Sequence, residues 1–164
     1  MSARQVRPGD DGRGLRIRVV AASWNERVVE RLLAGALETL RARGVADADV
    51  RVDWVPGSLE LPLAARWAAE GGADGGAAPA DAVIALGCVI RGETEHFRLV
   101  ADNAAAGLVR VGLETGVPVL NGVLAAHDAA QAEARSGGEH GNAGAQAALA
   151  AVRMANLRRQ REGA

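Results

Sequence analysis

The chain of 164 residues has no lysine and no tyrosine, a single cysteine, one phenylalanine and three tryptophans, so all 19 of its basic residues are arginine. Without lysine there is no Schiff-base amine and no P-loop lysine. Cys88, alone, forms neither an intramolecular disulfide nor a multi-cysteine metal site, and a lone thiol suits a reducing compartment, which predicts the cytoplasm. No apolar run approaches the ~18 to 20 residues of a membrane-spanning helix. The opening MSARQVRPGDDGRG also lacks the apolar stretch of a signal peptide and reads as a mobile arm over residues 1–14. The 19 basic and 20 acidic residues are interspersed and leave a net charge of -1. No global field therefore draws the chain to nucleic acid or an anionic membrane, and any bound anion must be held locally.

Several motifs are also missing. The turn after the first apolar run is A-A-S-W-N rather than G-x-G-x-x-G, and no G-x-x-x-x-G-K-[ST] occurs, which removes dinucleotide and P-loop chemistry. His96, His127 and His140 are scattered without H-E-x-x-H or a cysteine partner set, so no metal is expected. No G-x-S-x-G elbow is present to supply a serine nucleophile.

What is present is a chain 49% apolar and rich in alanine and glycine, of a length that fits one domain, residues 15–164. Small side chains with Val, Leu and Ile bury less area per residue than an aromatic core, which favours further burial by association. LRIRVVAA reads as a strand, followed by a helix over NERVVERLLAGALETLRARG that ends on Gly44. VRVDWV is the next strand, closed by Pro56-Gly57, and SLELPLAARWAAE a helix with Ser58 as its N-cap. After the loop GGADGGAAPA, the nearly unbroken apolar run DAVIALGCVI predicts a strand covered on both faces. A helix starting near Thr94 then runs to Gly116, and VPVLNGVL is a fourth strand. A short helix over Asp128 to Arg135, the glycine-rich turn SGGEHGNAG and a last helix to about Arg159 complete the chain. Alternating strands and helices of these lengths predict a three-layer αβα sandwich around a parallel four-stranded sheet, an α/β class of flavodoxin-like type. Ligands of such sheets bind beyond the carboxyl ends of the strands. That rule selects Ser23 to Asn25, Pro56 to Glu60, Cys88 to His96 and Asn121 to Asp128.

Within those windows, I-R-G-E-T-E-H-F carries the strongest signal. The chain leaves a buried strand through Gly92 and opens a helix whose free N–H groups suit a phosphate. His96 falls in the first turn, where an imidazole titrating near neutrality could move protons; a solvated first-turn histidine fits the spacing equally. Pro56-Gly57 forces a tight turn that presents the Ser58, Leu59 and Glu60 amides, with Glu60 as an acceptor for polyol hydroxyls or simply complementing the helix dipole. Trp24 can stack on a planar heterocycle, whereas Trp54 and Trp67 read as core or interface residues. Cys88, inside an apolar strand, reads as an inert thiol. Arg135 by its position alone reads as an arginine satisfying the last carbonyls of a helix.

Taken together, S-W-N, W-V-P-G-S-L-E-L-P, A-L-G-C-V-I-R-G-E-T-E-H-F, G-L-E-T-G-V-P-V-L-N-G-V-L and A-A-L-A-A-V-R-M-A-N-L, spaced from about Arg16 to Leu157, resemble the lumazine synthases of riboflavin biosynthesis. The resemblance implies condensation of 5-amino-6-ribitylamino-pyrimidinedione with 3,4-dihydroxy-2-butanone 4-phosphate, with no metal or redox cofactor. Position by position it implies that Trp24 stacks on the pyrimidine with Asn25 beside it, and that Gly57, Ser58, Leu59 and Glu60 hold the ribityl chain. Cys88, Val89 and Ile90 would line the heterocycle, Glu93 and Thr94 would offer amides to the phosphate, and His96 would transfer protons. Arg135 would bind phosphate, and it and Asn121 would reach the site from a neighbouring subunit of a pentamer. Such pentamers pair or build icosahedral shells, and the turn SGGEHGNAG, with no extra residues, points to a shell.

Three departures stand at the site mouth: Ala143 where many members carry lysine, Ala125-Ala126 followed by His127 where many have two threonines, and Asn121 where phenylalanine is frequent. They bear on phosphate affinity more than on the fold. Ala143 and Ala125-Ala126 also favour the alternative of a flavin-binding or cage-forming paralogue with little synthase activity, which His96, Arg135 and Glu60 oppose. An unrelated flavodoxin-like binding or signalling domain is the remaining reading, and the chain lacks the acidic receiver cluster that would support it.

Overall fold

The computed structural model describes residues 3, 5–71 and 78–163. Its core is a parallel sheet of four strands, β1 (Ile17–Ala22), β2 (Val50–Val55), β3 (Ala82–Ile90) and β4 (Val119–Ala126), in the order β2-β1-β3-β4. β3 pairs in parallel on both sides, with Ile17 against Ala82 and Val83 against Val119. Eight of its nine residues are buried, which is why its sequence does not alternate.

Parallel neighbours need crossovers, and helices supply them. α1 (Glu26–Ala42), α4 (Ala129–Arg135) and α5 (Ala143–Glu162) cover one face, where Ile17, Val19, Ala21, Ile84 and Leu86 meet Leu32, Ala36, Ala148 and Val152. α2 (Leu61–Glu70) and α3 (His96–Thr115) cover the other, where Val20, Val83 and Ala85 meet Leu61, Ala65 and Leu108. The two cores are those of a flavodoxin-like three-layer sandwich. Small residues let the layers close: a Cβ on Gly144 would collide with the Leu32 carbonyl, so α5 approaches α1 at backbone distance. Among the described residues no helix is long and apolar enough to cross a membrane.

Several boundaries differ from the sequence expectation. Ser58 is not an N-cap: α2 starts at Leu61, with Pro62 in its first turn and Glu60 at the cap position. Proline is favoured in the first turn of a helix, and this preference outweighs the serine four residues earlier. α3 starts at His96, two residues after Thr94. β4 begins at Val119 and runs on through Ala125 and Ala126. The segment SGGEHGNAG contains a short hairpin, β5 (Ser136–Gly138) with β6 (Gly141–Asn142), rather than a simple turn. The expected loop over 71–80 lies largely outside the described residues.

Within residues 1–14, Gly9 to Gly14 lie along α5 and the end of α1. Asn156 donates to the Gly9 and Asp11 carbonyls, Arg153 pairs with Asp10 at 2.6 Å, and the Gly12 N–H donates to the Arg43 carbonyl at 2.7 Å.

Candidate active site

Three strand ends are laced together at the carboxyl edge of the sheet. The Ser23 and Trp24 N–H groups donate to the Val55 and Pro56 carbonyls at 2.8 and 3.2 Å, joining the turn after β1 to the turn after β2. Asn25 then takes a left-handed conformation, φ 58°, the only non-glycine residue to do so among those described. Its Nδ2 donates to the Cys88 carbonyl at 2.8 Å and joins β1 to β3. Trp24, 72% exposed, projects from this rigid turn.

These ends surround a cavity of about 440 Å³. Trp24, the Gly57–Glu60 turn, the strand end Cys88–Ile90, Gly92, Thr94 and His96 form its wall. Phe97 and Val100 complete the wall along α3, with Pro56 at the turn. Pro56 and Gly92 lay inside the windows selected from the sequence; sequence reasoning missed Phe97 and Val100, although Val100 lies one helical turn after His96, which was a usable signal.

Ser58 is buried, and its Oγ lies over Gly87, where a Cβ would approach it to 2.7 Å. Glu60 folds back toward Gly57, whose Cβ would lie 3.1 Å from Oε2, and Leu59 is exposed beside it. The Cys88 thiol is pushed up to about 11 by burial, so it stays protonated at neutral pH and is a poor nucleophile. The loop between β3 and α3 is exposed throughout. α3 begins with no side-chain cap, the His96 N–H reaching only Thr94 Oγ1 at 3.4 Å, so its first turn keeps donors for an anionic ligand.

Four predicted residues do not line the cavity. Asn25 is committed to Cys88 as described. Glu93 is exposed in the β3–α3 loop. Asn121 is exposed on β4, an edge strand, where its Oδ1 accepts from the Val123 N–H at 2.9 Å. Arg135 is exposed at the last position of α4. Ala143 is the first residue of α5, directly after Asn142, whose side chain caps that helix.

The cavity thus combines apolar walls and an exposed indole with a hydroxyl and carboxylate at one end and an imidazole with free helix amides at the other. It suits a planar polar ring with a polyol arm beside a small anionic partner. Residues 14–159 match the family model for 6,7-dimethyl-8-ribityllumazine synthase. A 6,7-dimethyl-8-ribityllumazine synthase of Stenotrophomonas maltophilia is 51% identical over 146 residues, covering 88% of this chain and 90% of that relative. One of the same name from Xanthomonas euvesicatoria pv. vesicatoria is 49% identical over 142 residues, covering 87% and 88%.

Proposed function

The chain belongs to the 6,7-dimethyl-8-ribityllumazine synthase family, and we propose that it condenses 5-amino-6-ribitylamino-pyrimidinedione with 3,4-dihydroxy-2-butanone 4-phosphate to 6,7-dimethyl-8-ribityllumazine, releasing phosphate and water in riboflavin biosynthesis. The observation that carries this reading is one cavity holding His96 together with Trp24, the Gly57–Glu60 turn and the end of β3.

The reaction needs little from the protein beyond placement. The substrate amine is the nucleophile and the butanone carbonyl the electrophile. Loss of water gives an imine, and removal of a proton from the neighbouring carbon lets phosphate depart and leaves an enol that becomes a methyl ketone; the second nitrogen attacks this ketone, and loss of a second water completes the ring. Holding both reactants together converts an encounter into an intramolecular step. Trp24 stacks on the pyrimidine, backbone groups of Cys88, Val89 and Ile90 bond its edge, and Gly57, Ser58, Leu59 and Glu60 take the ribityl chain. His96 moves the protons of dehydration and elimination. The amides of Glu93 and Thr94 hold the phosphate and stabilise its charge as it leaves.

Arg135 and Asn121, outside the cavity of a single chain, complete it from a neighbouring subunit of a pentamer, whose outer surfaces pair it or close it into a shell. Exposed apolar residues on the outer layer, Leu63 and Trp67 of α2 with Val109 and Leu113 of α3, support burial by association. The substrates are small molecules, and the cytoplasm suits the unpaired Cys88. The test is turnover of both substrates, followed by lumazine fluorescence against an enzyme-free control, with particle mass measured in parallel. Enzyme-dependent product from an oligomer supports the reading, and a rate equal to the control in an assembled oligomer refutes it.

A further inference from the structure

Beside the main cavity lies a smaller one, of about 240 Å³, between the ends of β3 and β4 and the start of α3. Arg91, Arg98 and His127 line it with Thr94, Phe97 and one carboxylate, Glu95. Thr94 and Phe97 also line the main cavity, so the two spaces share a wall. None of these side chains has a role in the condensation described above; Thr94 serves there through its backbone amide.

The charge balance of this cleft is positive. Glu95 is its only acid, and its contact with Arg98 is long, 3.9 Å, between two exposed side chains. Asp128, beside His127 in the chain, is committed to capping α4 by accepting from the Gln131 N–H at 2.8 Å. The backbone that carries these groups is fixed. The Arg91 N–H donates to the Ala126 carbonyl at 2.9 Å, the His127 N–H to Gln131 Oε1 at 3.0 Å, and the Phe97 and His127 rings lie 6.4 Å apart. Two arginines, a histidine and a threonine therefore line a space of a size for a tetrahedral oxyanion and its waters. Forked arginine donors match such an oxyanion.

We propose that this cleft is a second oxyanion site, which receives the inorganic phosphate released by the condensation after it leaves the main cavity. The assignment of the ligand as product rests on the proposed function, because that reaction generates a free phosphate on the far side of the shared wall. A neighbouring cationic site lowers the cost of departure for a charged product and keeps it from rebinding where the next butanone phosphate must enter.

Inorganic phosphate itself is the probe, titrated calorimetrically into the assembled protein at low ionic strength, where exposed charges are least screened. Two phosphates per chain are expected. Arg91→Gln/Arg98→Gln weakens one of them about tenfold, as loss of two exposed charged contacts implies. Glu95→Gln tightens that same one, and Arg135→Gln removes only the other. A single phosphate per chain, or a second one indifferent to both the arginine pair and Glu95, overturns the site. With no phosphate added, Arg91→Gln/Arg98→Gln keeps wild-type initial turnover, whereas its inhibition by added phosphate changes; unchanged inhibition overturns the proposed role. Absence of lumazine production by the wild-type protein with two phosphates still bound refutes the condensation and the product assignment while leaving the site standing.

Discussion

Asn25 donates its side-chain amide to the Cys88 carbonyl across 2.8 Å from a left-handed backbone that non-glycine residues rarely adopt. Asparagine is among the few residues that tolerate this conformation, so one side chain both permits the turn that presents Trp24 and fixes the end of β3. Asn25→Gly keeps the backbone and loses the bond; Asn25→Ala loses the bond and adds strain. The alanine variant is expected to be less stable than wild type by about 2 to 3 kcal/mol, with the glycine variant losing about 1 kcal/mol less. Denaturant unfolding of the two variants side by side checks this order. Equal losses would mean that the left-handed turn contributes nothing.

In the proposed reaction, variants of His96 and Arg135 are expected to separate proton transfer from phosphate holding. His96→Ala is expected to lower kcat by about 10² to 10⁴-fold with residual turnover, because placement of the substrates survives. Arg135→Ala is expected to raise KM for the butanone phosphate with a smaller change in kcat and none in KM for the pyrimidine. Steady-state kinetics on correctly assembled variants distinguishes the two. A folded His96→Ala oligomer with no activity above the uncatalysed rate contradicts the placement argument.

The carboxyl-edge site was legible where chemistry lies along the chain and hidden where it lies across it. β3 at Ala82–Ile90 was readable because an unbroken apolar run reports burial on both faces, and β2 at Val50–Val55, none of whose residues is fully buried, because its apolar residues alternate with Arg51 and Asp53. The turn Pro56–Glu60 and the His96 segment were readable because strand ends collect ligands in open sheets. The Asn25 contact with Cys88 was not, since its partners are 63 residues apart and meet only after β1 and β3 pair. Ser58 was assigned to the helix start because serine often caps. Pro62, four residues later, was the better local marker, and burial of the Ser58 hydroxyl over Gly87 depends on β3 beneath it.

The docked segment Gly9 to Gly14 should loosen in acid. Asp10 is held below the usual carboxylate range, first by its hydrogen bond from Arg153 and then by the charges of Arg153 and Arg43. A depressed folded value means that its contribution is fully present above the ordinary aspartate value, near 3.8, and is lost as pH falls through the lower folded value. Asp11, held at about 2 mainly by Arg13 two residues away, titrates later but braces only the segment itself. Hydrogen exchange at the Gly12 N–H, corrected for its intrinsic rate, is expected to lose protection below about pH 4 while β3 amides stay protected. Arg153→Gln should lose that protection already at neutral pH. A Gly12 amide equally protected in both proteins would show that the ion pair does not hold the segment.

The seat of Ser58, which lines the main cavity, depends on the absence of a side chain at Gly87. A Cβ there would lie 2.7 Å from Ser58 Oγ and 3.2 Å from Leu61 Cδ1, both in or beside the turn expected to hold the ribityl chain. Gly87→Ala must therefore push that turn outward, at a cost of about 1 to 3 kcal/mol for overpacking a closed contact. The effect on function is specific: KM for the pyrimidine rises because the Gly57–Glu60 turn shifts, while KM for the butanone phosphate, held at the opposite end of the cavity, changes little. Ser58→Ala removes the nearer obstacle, so Gly87→Ala should cost less stability in that background than in the wild type, a coupling that a double-mutant cycle measures directly. Additive losses would mean that Leu61, in the first turn of α2, rather than the Ser58 hydroxyl, sets the contact.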